Sequence, residues 1–514
     1  MRRLFGTPWY PIALSAYSVV AIFSFNITEV RASMLWRPLV ASVAATTVML
    51  VVLQRWLRSW ERGALATAVL SGLFFSYGHV LDFLAARHVS SPALVLVPTW
   101  VCLLAVGLTW VSRTVGPIGR ATLPLNAAGT ALLLIPLTGI AVFSVRTALA
   151  DARHPSFATT GRTQLAVGAS LPDIYYIILD SYGRADVLKR VYGYDNGEFI
   201  GGLEEMGFYV ASCSQSNYTR TELSLGSSLN MEYLQNLNPE EFVPENLDRA
   251  ALWELLRHGS VRQALEAAGY RTVAFATGFP WSEWADADEF WEPSPLWNQL
   301  TEFEALWART TGAEALDSLG LIDLDEASAE RFRERTRFVL DSFDELAHLP
   351  GPKLVVIHII APHPPFVFDA DGNSIDPGQF LNEGGTYTRS SYAEGYQGQL
   401  TFINREIQRA AALLIDESSS PPVIVIQGDH GPWLLPPDLH FKILNAYYLP
   451  GHMDALYPSI SPVNTFRVII DSYLGGNLGL LEDTTYNSPV PNIYQFTPVP
   501  NSCGVETAPE SSSR

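Results

Sequence analysis

Residues 174–184 read Ile174-Tyr175-Tyr176-Ile177-Ile178-Leu179-Asp180-Ser181-Tyr182-Gly183-Arg184. The first six form an apolar, β-branched and aromatic run, which is typical of a strand covered on both faces of a parallel sheet. The run stops at a carboxylate, Asp180. In open α/β sheets, ligands bind beyond the carboxyl ends of the strands. We therefore expect a functional site where this strand ends.

Three more apolar runs, at 272–275, 354–360 and 423–426, have the same character. The stretches between the runs include apolar residues at helical spacing, as in 400–414. Alternating strands and helices predict an α/β domain with a mostly parallel central sheet. We expect this domain to span 171–498, after a juxtamembrane linker at 148–170 and before a disordered tail at 499–514.

Two of these runs also lead into residues that can bind a metal. One continues as Ala361-Pro362-His363-Pro364-Pro365, and the other as Gln427-Gly428-Asp429-His430-Gly431. Taken singly, each is as well explained by a turn, a cap or a packing residue. Carboxylates and imidazoles at equivalent strand ends are what a divalent metal needs. Together with Asp180, they favour a metal site.

A candidate nucleophile lies in Asn217-Tyr218-Thr219-Arg220-Thr221-Glu222-Leu223. Later leucines predict a short buried helix that begins near Thr221. A hydroxyl at a helix N-terminus that also touches a metal loses its proton more easily and can attack phosphorus. The alternative from this segment alone is that Thr219 or Thr221 is only the helix N-cap.

The first 150 residues have a different character and predict membrane spans. A span needs about 20 mostly apolar residues. Five segments qualify, and they define a transmembrane domain at 1–147: 8–28, 38–57, 64–84, 91–111 and 123–145.

Charge separates the two parts of the chain. Residues 1–150 contain 11 arginines and three acidic residues, a net charge of +8, whereas 151–514 carry −27. Arginines in the short loops favour one side by seven to four. Because positive loops stay inside, the count predicts a cytoplasmic N-terminus and an extracytoplasmic sheet domain. The overall net charge of −19 argues against a nucleic-acid partner.

Three cysteines exclude a small disulfide scaffold. Cys102 falls in the fourth predicted span. Cys213 and Cys503 belong to the predicted extracytoplasmic part, where disulfides persist. The sequence leaves open whether they pair or remain free thiols.

The order Asp180, Thr219, His363, Asp429-His430 resembles the alkaline phosphatase/sulfatase superfamily. More narrowly, it is similar to the membrane-anchored lipoteichoic acid synthase and phosphoethanolamine transferase branch, in which five spans carry a sulfatase-like domain. The resemblance covers roughly 172–475. It implies Asp180, Thr219, Asp429 and His430 as metal ligands and His363 beside the transferred group. It also implies a second-metal or phosphate contact for His440 and a cationic contact for Lys442.

Two departures bear on the chemistry. The transferases usually present Glu where this chain has Asp180. Sulfatases need Cys or Ser in a Cys/Ser-x-Pro-x-Arg segment, which this sequence lacks. Phosphoryl-type transfer through Thr219 is therefore preferred to sulfatase chemistry.

The resemblance implies an enzyme that uses manganese, zinc or magnesium. It would move a phosphoglycerol- or phosphoethanolamine-type headgroup from a membrane phospholipid, through a phospho-threonine, to an envelope glycan or lipid. A hydrolase of phosphate or sulfate esters and a non-catalytic membrane protein of the same fold are the alternatives.

Overall fold

The computed structural model describes residues 7–87, 89, 91–114, 118–152, 171–294, 300–381, 386–435, 437–501 and 503. The chain divides into two compact units. The helical unit comprises Met1–Leu149 and Pro295–Arg331, and the sheet unit comprises Ala150–Ser294 and Phe332–Arg514. The sequence pattern does not predict that Pro295–Arg331 groups with the N-terminal helices. Most of the predicted linker and tail, 153–170 and 504–514, lies outside the described residues.

Five apolar helices begin the helical unit. They are α1 (Tyr10–Phe25), α2 (Trp36–Leu57), α3 (Trp60–Ala85), α4 (Pro92–Arg113) and α5 (Thr122–Ala152). Four segments are long and apolar enough to cross a membrane, Ala32–Leu57, Trp60–Ala85, Pro92–Arg113 and Ile118–Arg146. These four overlap the second to fifth predicted spans. The first predicted span is a helix of 16 residues, shorter than the usual length of about 20.

Polar contacts join the apolar helices. The hydroxyls of Ser15 and Ser42 lie 2.6 Å apart, and both residues are buried. The amide oxygen of Asn126 accepts hydrogen bonds from the backbone N–H groups of Trp9 and Tyr10, each at 3.1 Å. Because small and polar residues hold helices together where no water is present, these contacts fit a membrane domain.

The later part of the helical unit contains α12 (Glu302–Arg309) and α13 (Ala313–Ser318). Helix α12 begins with a capping box in which Thr301 and Glu304 satisfy each other's backbone N–H groups. Phe303 is fully buried in a cluster with residues of α1. The backbone N–H of Gly78 in α3 donates to the carbonyl of Thr310 at 3.2 Å. A β-carbon at Gly78 would overlap the Arg309 carbonyl oxygen, so only glycine permits this approach.

The sheet unit contains seven strands in one sheet. They are β1 (Ile174–Leu179), β2 (Tyr209–Val210), β3 (Arg271–Phe275), β4 (Glu289–Trp291), β5 (Lys353–Ile359), β6 (Val423–Gly428) and β7 (Asn445–Tyr448). Their order is β2-β7-β6-β1-β5-β3-β4. All neighbours are parallel except those of β7, which pairs antiparallel with β6 and β2. The prediction of a mostly parallel sheet is confirmed.

Helices flank these strands, and a small hairpin follows them. The helices are α6 (Ala185–Tyr192), α7 (Gly197–Glu205), α8 (Thr221–Ser228), α9 (Leu234–Leu237), α10 (Ala250–Arg257), α11 (Ser260–Ala267), α14 (Leu324–Asp341), α15 (Phe343–His348), α16 (Arg389–Glu417), α17 (Pro437–His440) and α18 (Pro462–Tyr473). The hairpin is β8 (Thr485–Asn487) with β9 (Thr497–Val499). A disulfide joins Cys213 to Cys503, which settles the pairing that the sequence left open. Cys102 is free.

One face of the sheet packs on the main core. Ile174, Tyr176 and Ile178 of β1 lie there with Val423 and Val425 of β6. Helix α18 contributes Phe466 and Ile470 to the same cluster. The alternation of side chains along each strand therefore assigns every second residue to this face. This alternation decides which polar side chains lie on the same face where the strands end.

Candidate active site

Strand β1 lies between β5 and β6, and the three end at the same level. Leu179 is paired with Ile359 on one side and Gly428 on the other. Asp180 and Asp429 follow at once, so both carboxylates leave the sheet together. Asp180 lies two residues after Ile178, so its side chain is on the same face of the sheet as that of Ile178. His358 is paired with Ile178 on the neighbouring strand. Strand order and alternation thus bring Asp180, His358 and Asp429 to one face.

The side chains form a compact buried cluster. Asp180, His358 and Asp429 each offer a ligand atom, and these atoms all lie within 4.8 Å of one another. The His358 Nε2 atom lies 3.5 Å from an Asp180 oxygen. The His430 Nε2 atom lies 3.7 Å from Asp180 Oδ1 and 3.5 Å from Asp429 Oδ2. Two carboxylates and two imidazoles therefore converge.

Unsatisfied atoms in this cluster fit a bound cation. Asp429 Oδ1 accepts from the backbone N–H groups of Ser181 and His430, at 3.0 and 2.9 Å. Among the described residues, Asp429 Oδ2 and both His358 ring nitrogens are buried without a hydrogen-bond partner. Leaving such a group unpaired costs about 1–3 kcal/mol. Oxygen and imidazole donors are the ligands that divalent metals use, so this donor set fits a metal ion.

The electrostatics keep the Asp180 carboxylate ready for a cation. Burial alone would raise the pKa of the Asp180 carboxyl, but the surrounding imidazoles of His363, His358 and His430 outweigh burial and hold that pKa below its usual range. Asp180 is therefore ionised at neutral pH. Burial lowers the pKa of His430, whereas the carboxylates of Asp429 and Asp180 raise it and prevail.

The backbone turns sharply just after Asp180. Ser181 has a φ of +63°, in the left-handed region that non-glycine residues rarely adopt. Its carbonyl accepts a hydrogen bond from the Tyr396 hydroxyl at 2.9 Å, and its N–H donates to Asp429. Strain of this kind persists where surrounding contacts enforce it, commonly at functional sites. Here the contacts hold Asp180 against Asp429.

Gly428 and Gly431 serve close backbone approach. Neither is among the described residues with positive φ. A β-carbon on Gly428 would lie 2.5 Å from the Tyr182 carbonyl oxygen, and one on Gly431 would lie 2.8 Å from the His440 carbonyl oxygen. The loop that carries Asp429 and His430 can pack against its neighbours only with glycine at both places.

A cavity of about 400 Å³ opens beside the cluster. Its lining combines hydroxyl, imidazole and charged side chains with one indole. The lining residues are Thr219, Arg220, Thr221, Glu222, His363, His430, Trp433, His440, Asn487 and Ser488. His430 also borders the ligand cluster, so cavity and cluster share a wall.

The two candidate threonines have different roles. Helix α8 begins at Thr221, as predicted, but the N-cap position is Arg220, and no side chain caps the helix. The Thr221 hydroxyl lies 3.3 Å from His430 Nε2. The Thr219 hydroxyl has no partner among the described residues, although it is buried. Neither threonine is the N-cap, and Thr219 is the one with an uncommitted hydroxyl.

The other predicted residues divide between the cavity and its surroundings. His440 Nε2 lies 3.0 Å from the Thr219 carbonyl oxygen, and its ring stacks on His430 with centroids 4.9 Å apart. Burial, reinforced by His430, lowers the pKa of His440 to about 4, so it is neutral at neutral pH. His363 lines the cavity and meets Trp433 edge-on, at 5.2 Å between ring centroids. Lys442 is buried and is not a lining residue.

Sequence reasoning missed several residues of this site. His358 lies inside an apolar run, and only its parity with the strand-end carboxylates would have singled it out. Trp433 comes two residues after Gly431, and this closeness to the Asp429-His430-Gly431 turn could have marked it as a residue of the site. Asn487 ends a three-residue strand and Ser488 follows it, and no sequence pattern marks either residue.

Comparisons with solved structures find similar proteins at low identity. Lipooligosaccharide phosphoethanolamine transferase A from Neisseria meningitidis is 14% identical, with 90% of this chain and 94% of that chain covered at a TM-score of 0.39. The periplasmic domain of the phosphoethanolamine transferase EptC from Escherichia coli is 16% identical, covering 63% and 91%, at 0.39. The phosphonate monoester hydrolase of Agrobacterium radiobacter is 14% identical; 63% of this chain and 82% of that chain are covered, at a TM-score of 0.40.

At these identities, substrate and reaction have to be argued from this chain's own residues. No curated protein matches the chain. The model of the sulfatase family matches residues 172–460, more than half of the 514 residues. That stretch contains Asp180, Thr219, His363 and the Asp429-His430 pair. The chain therefore belongs to the sulfatase family and is a sulfatase-like enzyme.

Proposed function

We propose that the chain is a metal-dependent membrane enzyme that transfers a phosphate-linked headgroup from a phospholipid through Thr219. The observation that carries this proposal is the Thr219 hydroxyl, which is buried and has no hydrogen-bond partner among the described residues. Thr219 lines the same cavity as His430, which also borders the ligand cluster. A family member without the Cys/Ser-x-Pro-x-Arg segment needs another nucleophile. Thr219 offers an uncommitted hydroxyl in the wall of this cavity.

Asp180, His358, Asp429 and His430 would hold the metal, with the Thr219 hydroxyl completing the set. A bound divalent cation lowers the pKa of a hydroxyl and offsets phosphate charge. Mixed carboxylate and imidazole donors favour zinc or manganese over magnesium, which prefers oxygen ligands.

In the first half-reaction, Thr219 Oγ1 attacks the phosphorus of the lipid headgroup. The Oγ1–P bond forms and the bond from phosphorus to the diacylglycerol oxygen breaks. The threonine loses its proton and the departing lipid hydroxyl gains one. His363, in the cavity wall, is positioned to donate to the phosphoryl oxygens. The Arg220 guanidinium is a second donor on the same wall.

In the second half-reaction, an acceptor hydroxyl attacks the phospho-threonine and restores Thr219. An envelope glycan or lipid would supply that hydroxyl. Water would make the enzyme a hydrolase, with the same residues in the same roles. A non-catalytic role fits less well, because a protein without a bound metal would have no reason to retain buried, unsatisfied donor atoms.

The membrane unit would hold the site near its lipid donor. We propose five spans with a cytoplasmic N-terminus and an extracytoplasmic sheet unit, since short-loop arginines favour that orientation by seven to four. The 16-residue helix α1 would be the shortest span.

The test is a single-turnover reaction of the detergent-solubilised full chain with headgroup-labelled phospholipid and Zn²⁺ or Mn²⁺. Acid quenching and peptide mass spectrometry should place the label on Thr219. Thr219→Ala should lose label and turnover while still binding metal. Thr401→Ala, a threonine on α16 outside the cavity lining, is the matched control and should retain both. Turnover by Thr219→Ala, or label on another residue, would refute the proposal.

A further inference from the structure

The β8–β9 hairpin contributes to the cavity although it lies beyond residue 460, where the family match ends. Strand β8 runs beside the segment that leads to Thr219. The Tyr486 N–H donates to the Asn217 carbonyl at 2.8 Å. Tyr218 and Tyr486 form a parallel bridge, and their rings stack with centroids 5.6 Å apart. The hairpin is thus aligned with the nucleophile segment residue by residue.

Asn487 and Ser488 follow Tyr486 directly, as Thr219 and Arg220 follow Tyr218. Lining the cavity are Asn487, Ser488, Thr219 and Arg220. The hairpin is held firmly there, because the Thr485 hydroxyl donates to the Ser216 carbonyl at 2.9 Å and accepts from the Gln215 amide at 3.3 Å. Its position next to Thr219 is therefore built into the fold.

Ser488 carries an unsatisfied hydroxyl in the cavity wall. The residue is 5% exposed, and its Oγ atom has no hydrogen-bond partner among the described residues. A buried hydroxyl without a partner costs free energy, and native proteins rarely leave one unexplained. A polar group of a bound molecule would satisfy it.

The charges of the lining indicate which polar group fits. Glu222 is the carboxylate among the described lining residues, and its Oε1 lies 3.1 Å from Arg249 and 4.0 Å from Arg220. It is therefore committed to arginines, so a ligand ammonium would find no free carboxylate. Trp433 presents an indole that is 62% exposed, a surface on which a headgroup of either kind, ammonium-bearing or neutral, can pack. Because the lining carboxylate is already paired with arginines, the lining suits a neutral, hydroxyl-bearing group.

We infer that Asn487 and Ser488 form a subsite for an uncharged, hydroxylated headgroup of the glycerol or sugar type, carried on the phosphorus that Thr219 attacks. This inference rests on the proposed function. The Ser488 hydroxyl and the Asn487 amide bond to hydroxyls of the headgroup while Arg220 faces the phosphate. The hairpin thus selects glycerol-type over ethanolamine-type headgroups.

A binding experiment separates this inference from the proposed transfer reaction, because it needs no turnover. Glycerol 1-phosphate and phosphoethanolamine are titrated into the metal-loaded full chain by calorimetry. Wild type should bind glycerol 1-phosphate more tightly. Ser488→Ala should weaken that binding by about 2- to 12-fold, the value of one hydrogen bond, and leave phosphoethanolamine nearly unchanged. Thr401→Ala is again the control and should change neither.

A second variant, which changes the charge of the cavity, keeps the experiment decisive if Ser488→Ala does not fold. Asn487→Asp adds a free carboxylate to the cavity and should move the preference toward phosphoethanolamine, with thermal unfolding as the check on folding. Equal weakening of both ligands by Ser488→Ala, or an unchanged preference in Asn487→Asp, would overturn the inference. Correct ligand selection without phospho-threonine would overturn the transfer reaction and leave the subsite standing.

Discussion

Metal binding should show most sharply in the stability of a His358→Leu variant. Both His358 ring nitrogens are buried without a hydrogen-bond partner among the described residues, and the Asp180 carboxylate 3.5 Å away offsets the cost of burying the imidazole only in part. Replacing it with leucine removes an unsatisfied polar group worth about 1–3 kcal/mol. In chelator, the variant should therefore be as stable as wild type or more stable.

With metal present, wild type should be more stable than the His358→Leu variant. At a free metal concentration about 100 times Kd, wild type gains about 2.7 kcal/mol. For a unit as large as the sheet unit, that gain corresponds to a rise in Tm of about 4 °C. The variant lacks a nitrogen next to both carboxylates, and we expect its metal affinity to fall at least about tenfold, or 1.4 kcal/mol. Its rise in Tm should be smaller by about half.

The assay is thermal unfolding of the full chain in detergent, with Zn²⁺ or with chelator, alongside direct metal titration. His348→Leu is the control, since His348 is an exposed histidine at the end of α15 and should change neither affinity nor the metal-dependent Tm shift. Unchanged metal affinity in His358→Leu would refute the assignment. A loss of stability in chelator would show that His358 supports the fold and not the metal.

Four further substitutions test the architecture. Gly78→Leu should abolish the packing of α3 against the Arg309 carbonyl and lower the yield of folded protein, as size-exclusion chromatography would show. Cys503→Ser opens a loop of 290 residues and should cost about 2–5 kcal/mol, measured by denaturant unfolding without reductant. Asp173→Asn removes the carboxylate that pairs with the fully buried ammonium of Lys353, and it should cost about 3–5 kcal/mol in the same assay. Arg409→Gln removes an exposed arginine that pairs with Glu406 and should cost less than about 1 kcal/mol.

The sheet was predictable because its strands are long apolar runs with a polar residue at the end. Strand β1 occupies Ile174–Leu179, the six residues quoted from the sequence, and β6 begins at Val423 as expected. The two-residue strand β2 and the antiparallel strand β7 carry no comparable signal. They join the sheet through pairing with neighbours, which a single sequence does not display.

The helical unit shows a different limit of sequence reasoning. Composition predicts five spans, of which four overlap helices long and apolar enough to cross a membrane, but it does not predict that Pro295–Arg331 groups with them. That grouping depends on single contacts, such as the burial of Phe303 and the space that Gly78 leaves for Thr310. Tertiary packing of this kind has no periodic pattern in the sequence. The predicted boundary at residue 147 describes only the first part of the unit.

The candidate ligand cluster shows why the sequence did not single out one of its members, His358. Asp180 and Asp429 stand out because each interrupts an apolar run, whereas His358 is embedded in one. A buried histidine in a strand usually bonds to a neighbour, but His358 meets Asp180 at 3.5 Å and has no hydrogen-bond partner among the described residues. Burial of two carboxyl groups beside such an imidazole is costly unless a cation offsets the cost. The cluster is therefore a stability cost in the free protein, and the parallel register of β1 with β5 and β6 is what lets the fold maintain it.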